Sequence, residues 1–343
     1  MSQPEDNRTD DGRYEPRVRM RDVVAILLLM IVVAGILFPG LYTVRYSAFH
    51  RTRCSNNLRE IGLASQSANT VHRRLPPAFG SYAQKLPPVR SANGHLPHSA
   101  TIYYYLLPHL EQVGTYQRLP PLFDFPETNQ YVLAPKAPLL GMGTADENAA
   151  MFKVPVYLCP SDVSGDPSGV QDLSLTGKEI ETSRWGSNSY SANYLLFGMV
   201  KDPRLPESIP DGLSNTIFFT EKASICDDAA TGRRGGNLWA VPAFFPSDPQ
   251  ASVNFGGTLG YDPAPTNPTR PYALALFQSA APGINCDPTL AQSPHVGGIN
   301  VSMGDGSCRF ITSKVSAATW SALLTPYPIR GQSRSDVPGD DWQ

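Results

Sequence analysis

Val23 to Val44 reads VVAILLLMIVVAGILFPGLYTV, with no charged side chain, and this stretch decides the architecture of the chain. A run of about 20 apolar residues matches the hydrocarbon thickness of a bilayer when it is helical. A helix of that length in a soluble core normally carries a polar stripe, and none interrupts Val23 to Phe38. A cleaved export signal has a shorter apolar region followed by a small-x-small site. Here the run passes through Pro39 and Gly40 into an amphipathic pattern instead. The expectation is a retained signal anchor: one transmembrane helix over 23–44, preceded by a polar cytoplasmic tail over 1–22. Arg8, Arg13, Arg17, Arg19 and Arg21 precede the run, and Arg45, Arg51, Arg53 and Arg59 follow it. The positive charge therefore leans only slightly towards a cytoplasmic N-terminus.

Outward from the run, Cys54, Leu58, Ile61, Ser65 and Ala68 recur at three- and four-residue steps, which places them on one side of a helix. Arg53, Asn56, Arg59 and Glu60 occupy the other side. The spacing predicts a helical extension over 45–72 that lays its apolar side on a following domain and leaves its charges in water.

At 343 residues and 41% hydrophobic content the chain can build a substantial core. A net charge of -2 with 17% charged residues offers no basic footprint, so no nucleic-acid partner is expected. The 33 prolines and 28 glycines are scattered between short apolar runs, which favours a β-rich, loop-rich body over 73–325. Pro326 to Gln343 is rich in Pro, Gly, Ser and Asp and reads as a mobile tail. The expected class is α+β, with one long N-terminal helix followed by a β-rich globular domain.

The five cysteines at 54, 159, 226, 286 and 308 include no Cys-x-x-Cys pair and no His at zinc-finger spacing, which argues against a structural zinc site. In an exported body they would form up to two disulfides with one thiol left over. Spacing does not fix the pairing; Cys54 with Cys159 is the first choice.

Five blocks along the chain carry a resemblance. Arg51-Thr-Arg-Cys-Ser-Asn-Asn-Leu-Arg-Glu-Ile-Gly-Leu-Ala64 follows the hydrophobic helix and includes Cys54, Asn56 and Asn57. Tyr157-Leu-Cys-Pro-Ser-Asp162 carries Cys159 and Asp162, and Ser187-Asn-Ser-Tyr-Ser-Ala-Asn193 ends on Asn193. Ile209-Pro-Asp-Gly-Leu-Ser-Asn-Thr-Ile217 holds Asp211, Gly212 and Asn215 and runs on to Glu221. His295-Val-Gly-Gly-Ile-Asn-Val-Ser-Met-Gly-Asp-Gly306 holds His295, Gly297, Gly298, Asp305 and Gly306 in an H-x9-D-G pattern. In this order the blocks resemble a large family of prepilin-like bacterial proteins of unknown function. The resemblance implies a type II pseudopilin-like start, with a long helix packed on a β-rich part outside the cytoplasmic membrane. It implies a membrane partner and, through it, other pilin-like or envelope proteins. The chain departs from the family at Val18-Arg-Met-Arg-Asp-Val-Val24, where a Gly-Phe-Thr-Leu-x-Glu type processing motif is commonly found. That departure points to an uncleaved anchor in place of a pilus subunit.

Chemistry is sparse. There is no G-x-S-x-G elbow, P-loop, H-E-x-x-H or G-x-G-x-x-G motif, so no catalytic, cofactor-binding or metal-binding residue is assigned. Gly298 to Ile311 reads as two strands joined at Asp305-Gly306, a strong hairpin signal. In that setting His295 would bond nearby backbone and Asp305 would hold the turn. Asp211-Gly212 reads as a second turn, and Glu221 as a buried acid paired with Lys222 or a backbone donor. The leading expectation is a non-catalytic, membrane-anchored surface or secretion-associated protein. The alternative is an anchored binding protein or hydrolase using His295, Asp305 and Glu221, which requires those side chains to converge. His95, His98 and His109 sit around an aromatic run, Tyr103-Tyr-Tyr105, where packing is the default reading.

Overall fold

The computed structural model describes residues 19–80, 82, 100–118, 153–172, 184–198, 200–228, 233–240, 258–259, 276–279, 286, 290–326 and 342, with 36–47, 79–80, 118, 172, 184–185, 227–228, 233–236 and 258–259 described by backbone alone. The tail through residue 18, His95, His98 and residues 327–341 of the expected C-terminal tail lie outside them. The chain divides into two compact units, 1–49 and 50–343.

Helix α1 spans Met20–His72, 53 residues. At its start the backbone N–H of Arg19 donates to Asp22 Oδ2 at 3.1 Å, a side chain reaching back to satisfy an orphan donor of the first turn. From Val23 to Val33 its large apolar side chains are exposed, Ile31 at 67%. Among the described residues no helix is long and apolar enough to cross a membrane. The expected span over 23–44 runs into the stretch described by backbone alone. The helix ends where Arg73 takes a left-handed φ of 59°, the conformation that closes many helix C-termini.

In the second unit the three- and four-residue stripe is the buried face of α1: Cys54, Leu58, Ile61, Ser65 and Ala68 are all fully buried. Arg53, Asn56, Arg59 and Glu60 face solvent. That face lies against a mixed sheet. Strands β1 (Phe79–Gly80) and β2 (Ala100–Thr101) pair with each other, as do β3 (Val170–Asp172) with β4 (Arg184–Gly186), and β7 (Ile225–Asp228) with β8 (Arg233–Gly236). The main sheet has five strands, in the order β13 (Cys308–Thr312), β12 (Gly298–Met303), β6 (Ile217–Glu221), β5 (Tyr190–Asn193) and β9 (Thr258–Leu259). Its first four strands are antiparallel neighbours and β9 joins parallel to β5. A short parallel pair, β10 (Gln278–Ser279) and β11 (Gln292–Ser293), leads into β12. Among the described residues the other α-helices are short, α2 (Ile102–Leu106), α3 (Val113–Arg118), α4 (Tyr194–Phe197) and α5 (Ala317–Leu324), with 3-10 turns at Leu107–Leu110, Pro155–Tyr157 and Leu213–Asn215. The α+β class follows.

Two apolar clusters occupy this unit. One joins the α1 stripe to Tyr103, Tyr157, Tyr190, Phe197, Phe218 and Phe219. The other joins Ile217, Ile299, Val301, Met303 and Ile311 to Trp320 and Leu323 of α5. An irregularity between β6 and β12 explains why Ile217 and Phe219 belong to different clusters. Ile217 pairs with Met303 but Phe219 with Ser302, so Phe218 is an extra residue in β6, and a bulge of this kind re-aims the side chains beside it. Beyond the bulge, alternation carries Glu221 to the same side of the sheet as Phe219.

Helix α1 runs alongside β12 and β13. Arg51 stacks over the Phe310 ring at 4.9 Å, Ser55 Oγ donates to Cys308 Sγ at 3.1 Å, and Gln66 Nε2 donates to the Gly304 carbonyl at 2.7 Å.

Candidate functional site

Glu221 ends β6 with no exposed surface. An isolated buried carboxylate is costly, so it must be supplied with donors. Its Oε2 accepts from Ser293 Oγ at 2.7 Å and from the backbone N–H of Asn300 at 3.0 Å. Its Oε1 accepts from Asn300 Nδ2 at 2.7 Å and stands 3.0 Å from His295 Nε2. Of the two partners expected for it, Lys222 or a backbone donor, the backbone donor is present as the Asn300 N–H. Neighbouring strand residues point to opposite faces, and the Lys222 ammonium turns away to donate to the Leu290 carbonyl at 2.9 Å.

His295 is buried with its ring on Glu221, whereas nearby backbone was the expected partner. Its backbone N–H donates to Ser293 Oγ at 3.1 Å, so one hydroxyl ties His295 and Glu221 together. The same Nε2 lies 4.0 Å from Cys159 Sγ. Cys159 is bonded to Cys54 with an S–S distance of 2.04 Å, which fastens α1 to the segment after Tyr157. Asn57 Nδ2 reinforces that joint by donating to the Leu158 carbonyl at 2.8 Å, and Tyr190 Oη donates to the Cys54 carbonyl at 3.3 Å. Asn56 faces solvent. A second disulfide joins Cys226 to Cys286, and Cys308 keeps a free thiol.

Asp305 is not part of this group. It sits in the turn between β12 and β13, at the far end of β12 from His295, and Oδ1 accepts from the Ser307 N–H at 2.8 Å. Five steps of about 3.3 Å put roughly 16 Å between the two ends of the six-residue strand β12. Its backbone N–H donates to the Leu213 carbonyl at 3.1 Å, binding this turn to the Asp211-Gly212 turn. There Asn215 Nδ2 donates to the Asp211 carbonyl at 3.0 Å and Gly212 has a φ of 99°. Gly306 has a φ of 81° and packs on α1, where a Cβ would stand 3.0 Å from Leu63 Cδ2. Gly297 and Gly298 carry the chain from His295 into β12. A Cβ on Gly298 would stand 2.3 Å from the Ile311 carbonyl oxygen, so only glycine fits beside β13.

Two polar hubs escaped the sequence reading as to mechanism, although their residues were singled out. Asp162 Oδ2 accepts from Ser189 Oγ, Ser224 Oγ and the Ser224 N–H, at 2.8, 2.6 and 2.9 Å. Its Oδ1 accepts from the Ser164 N–H at 3.0 Å. Asn193 caps α4 by accepting from the Leu195 N–H, while its Nδ2 donates to the carbonyls of Ile217 and Leu324 at 2.8 and 2.6 Å. Serine-rich loops supply the donors to Asp162, and no local spacing announces them. His109 Nδ1 lies 3.0 Å from Ser67 Oγ of α1.

A helix stapled across a mixed sheet, with a buried His-Glu pair behind the staple and an Asp-Gly turn at the other end, defines an α+β body built around the retention of α1. Within that class, the chain belongs to the family described as "Protein of unknown function (DUF1559)", whose model matches residues 48–318. No curated protein and no solved structure matches the chain. The matched region takes in the whole stripe of α1 and both ends of the H-x9-D-G segment.

Proposed function

We propose that the protein is a membrane-tethered, pseudopilin-like component of the bacterial cell envelope with a structural or interaction role and no catalytic one. Helix α1 carries this reading. Its Val23 to Val33 side chains are exposed and apolar, while the stripe Cys54, Leu58, Ile61, Ser65 and Ala68 of the same helix is fully buried and stapled at Cys54. Exposed apolar area of this kind calls for an apolar partner, and a bilayer suits a run of 22 residues without charge over 23–44. The tail 1–22 would stay in the cytoplasm and the body would stand outside the cytoplasmic membrane on one span. Two disulfides in the body agree with an oxidising compartment.

The use made of the polar motif residues supports a non-catalytic role. Asp162, Asn193, Glu221 and Asp305 each spend their side chains on internal donors or acceptors that hold the fold. Val18-Arg-Met-Arg-Asp-Val-Val24 favours an uncleaved anchor, and the natural partners are then other pilin-like or envelope proteins. Cell fractionation with protease shaving tests the reading. The expected result is a membrane-fraction protein whose body is digested from outside and whose N-terminal peptide begins at Met1 or Ser2. Recovery of the body in the cytosol, protected from protease, would overturn it.

A further inference from the structure

Cys54, Cys159, Glu221 and His295 each offer a metal-ligand atom, these atoms all lie within 4.8 Å of one another, and all four residues are buried. They arrive from four separate places: α1, the turn after Tyr157, the end of β6 and the loop before β12. With the sulfurs bonded to each other, two of the four donors are in use. We propose that the Cys54–Cys159 disulfide masks a tetrahedral site for one Zn²⁺ ion, which fills when that bond is reduced.

The donor set is chemically selective. Two thiolates and an imidazole favour zinc over magnesium or calcium, and a carboxylate completes four ligands. Bonds of about 2.3 Å to sulfur and 2.0–2.2 Å to nitrogen and oxygen set ligand atoms roughly 3.3–3.8 Å apart in a tetrahedron. Glu221 Oε1 and His295 Nε2 stand at 3.0 Å, and His295 Nε2 and Cys159 Sγ at 4.0 Å. The sulfurs, bonded at 2.04 Å, must separate, and the widest pair of the group, within 4.8 Å, must draw in. The supporting contacts are those a metal site needs to orient its ligands. Ser293 and Asn300 grip both oxygens of Glu221, and Ser293 also accepts from the His295 backbone.

The redox step balances with a dithiol as reductant. Two electrons and two protons pass from the dithiol to the Cys54–Cys159 bond, giving two thiols and the oxidised dithiol. Binding then releases both thiol protons to solvent as Zn²⁺ takes two thiolates, the Glu221 carboxylate and the neutral His295 ring. No two of these ligands are close in the chain, so the close spacing by which zinc fingers are recognised is absent. The inference does not depend on the membrane tether.

The test uses the full chain in detergent, reduced with a dithiol, freed of reductant without oxygen, and alkylated with and without one equivalent of Zn²⁺. Mass spectrometry reads the alkylation rate at each cysteine. Zinc should slow Cys54 and Cys159 at least tenfold while leaving Cys226, Cys286 and Cys308 unchanged, and the oxidised chain should bind no zinc. Equal rates at Cys54 and Cys159 with and without zinc, or equal protection of all five cysteines, would overturn the proposal. His295→Ala, checked for folding by its ability to form the Cys54–Cys159 bond when oxidised, should lower zinc affinity at least roughly tenfold, the smaller effect typical of outer contacts. Unchanged affinity in that variant would overturn it as well.

Discussion

Replacing Glu221 by Ala under oxidising conditions removes one acceptor group from four buried donors. Ser293 Oγ, the Asn300 N–H, Asn300 Nδ2 and the His295 ring all lose their partner at distances of 2.7 to 3.0 Å. A buried donor left unsatisfied costs about 1–3 kcal/mol. Water entering the space left by the side chain recovers part of this, so the expected loss is about 3–5 kcal/mol, not the full sum over donors. Against a domain stability of about 5–15 kcal/mol, that is a large fraction. Urea unfolding of the detergent-solubilised full chain, followed by the fluorescence of buried Trp239 and Trp320, measures it. Glu221→Gln keeps one acceptor oxygen and should lose less than Glu221→Ala. A loss below about 1 kcal/mol for Glu221→Ala would refute the reasoning, because it would mean the four donors find other partners.

The Cys54–Cys159 bond closes a chain separation of 105 residues, so Cys159→Ser should cost up to about 4.7 kcal/mol by the loop-entropy estimate, read as a lowered urea midpoint. Gly298→Ala forces a Cβ to within 2.3 Å of the Ile311 carbonyl oxygen, and a loss of about 1–3 kcal/mol is expected from the same measurement. Burial pushes the Cys308 thiol up to about 11, against the opposing pull of the Ser55 hydroxyl. Its alkylation in the oxidised chain should therefore be slow at pH 8 and rise about tenfold per pH unit towards 11, because the thiolate is the reactive form. Burial also holds Tyr157 and Tyr190 well above the ordinary phenol value of 10.0. The folded chain then keeps protons that the unfolded chain releases, so stability is intact below pH 10 and falls as pH rises beyond it. Phenolate absorbance should appear together with unfolding, and appearance well before unfolding would contradict this.

The helical part of the design was legible because it is periodic. A stripe repeating every three or four residues has only one way to face a core, and Cys54, Leu58, Ile61, Ser65 and Ala68 are buried as that rule requires. The Asp305-Gly306 hairpin was legible for a similar reason: turn chemistry is local. What could not be read was which strands become neighbours. The order β13-β12-β6-β5-β9 brings Glu221 to Asn300 and His295, and these contacts come from long-range pairing that leaves no trace in spacing. Of the two partners expected for Glu221, the backbone donor is found and Lys222 is carried away by strand alternation; Asp305 holds its turn as expected, and the length of β12 keeps it from the meeting with His295 that the alternative reading required.

That length also gives the H-x9-D-G pattern a physical meaning. His295 backs the disulfide at Cys54, and the turn at Gly304 to Gly306 receives Gln66 and Leu63. Along α1, Cys54 to Gln66 is twelve residues, about 18 Å at 1.5 Å per residue. Along the sheet, the five steps from Gly298 to Met303 cover roughly 16 Å. The nine residues between His295 and Asp305 therefore act as a ruler between the contact behind the disulfide and the turn that receives Gln66 and Leu63. A residue added to β12 would lengthen the ruler by about 3.3 Å and reverse every side chain beyond it. Asn300 would then leave Glu221, and the turn would overshoot Gln66. On this reading the signature marks a spacing between two fastenings on one helix, and the polar residues at its ends are the fastenings.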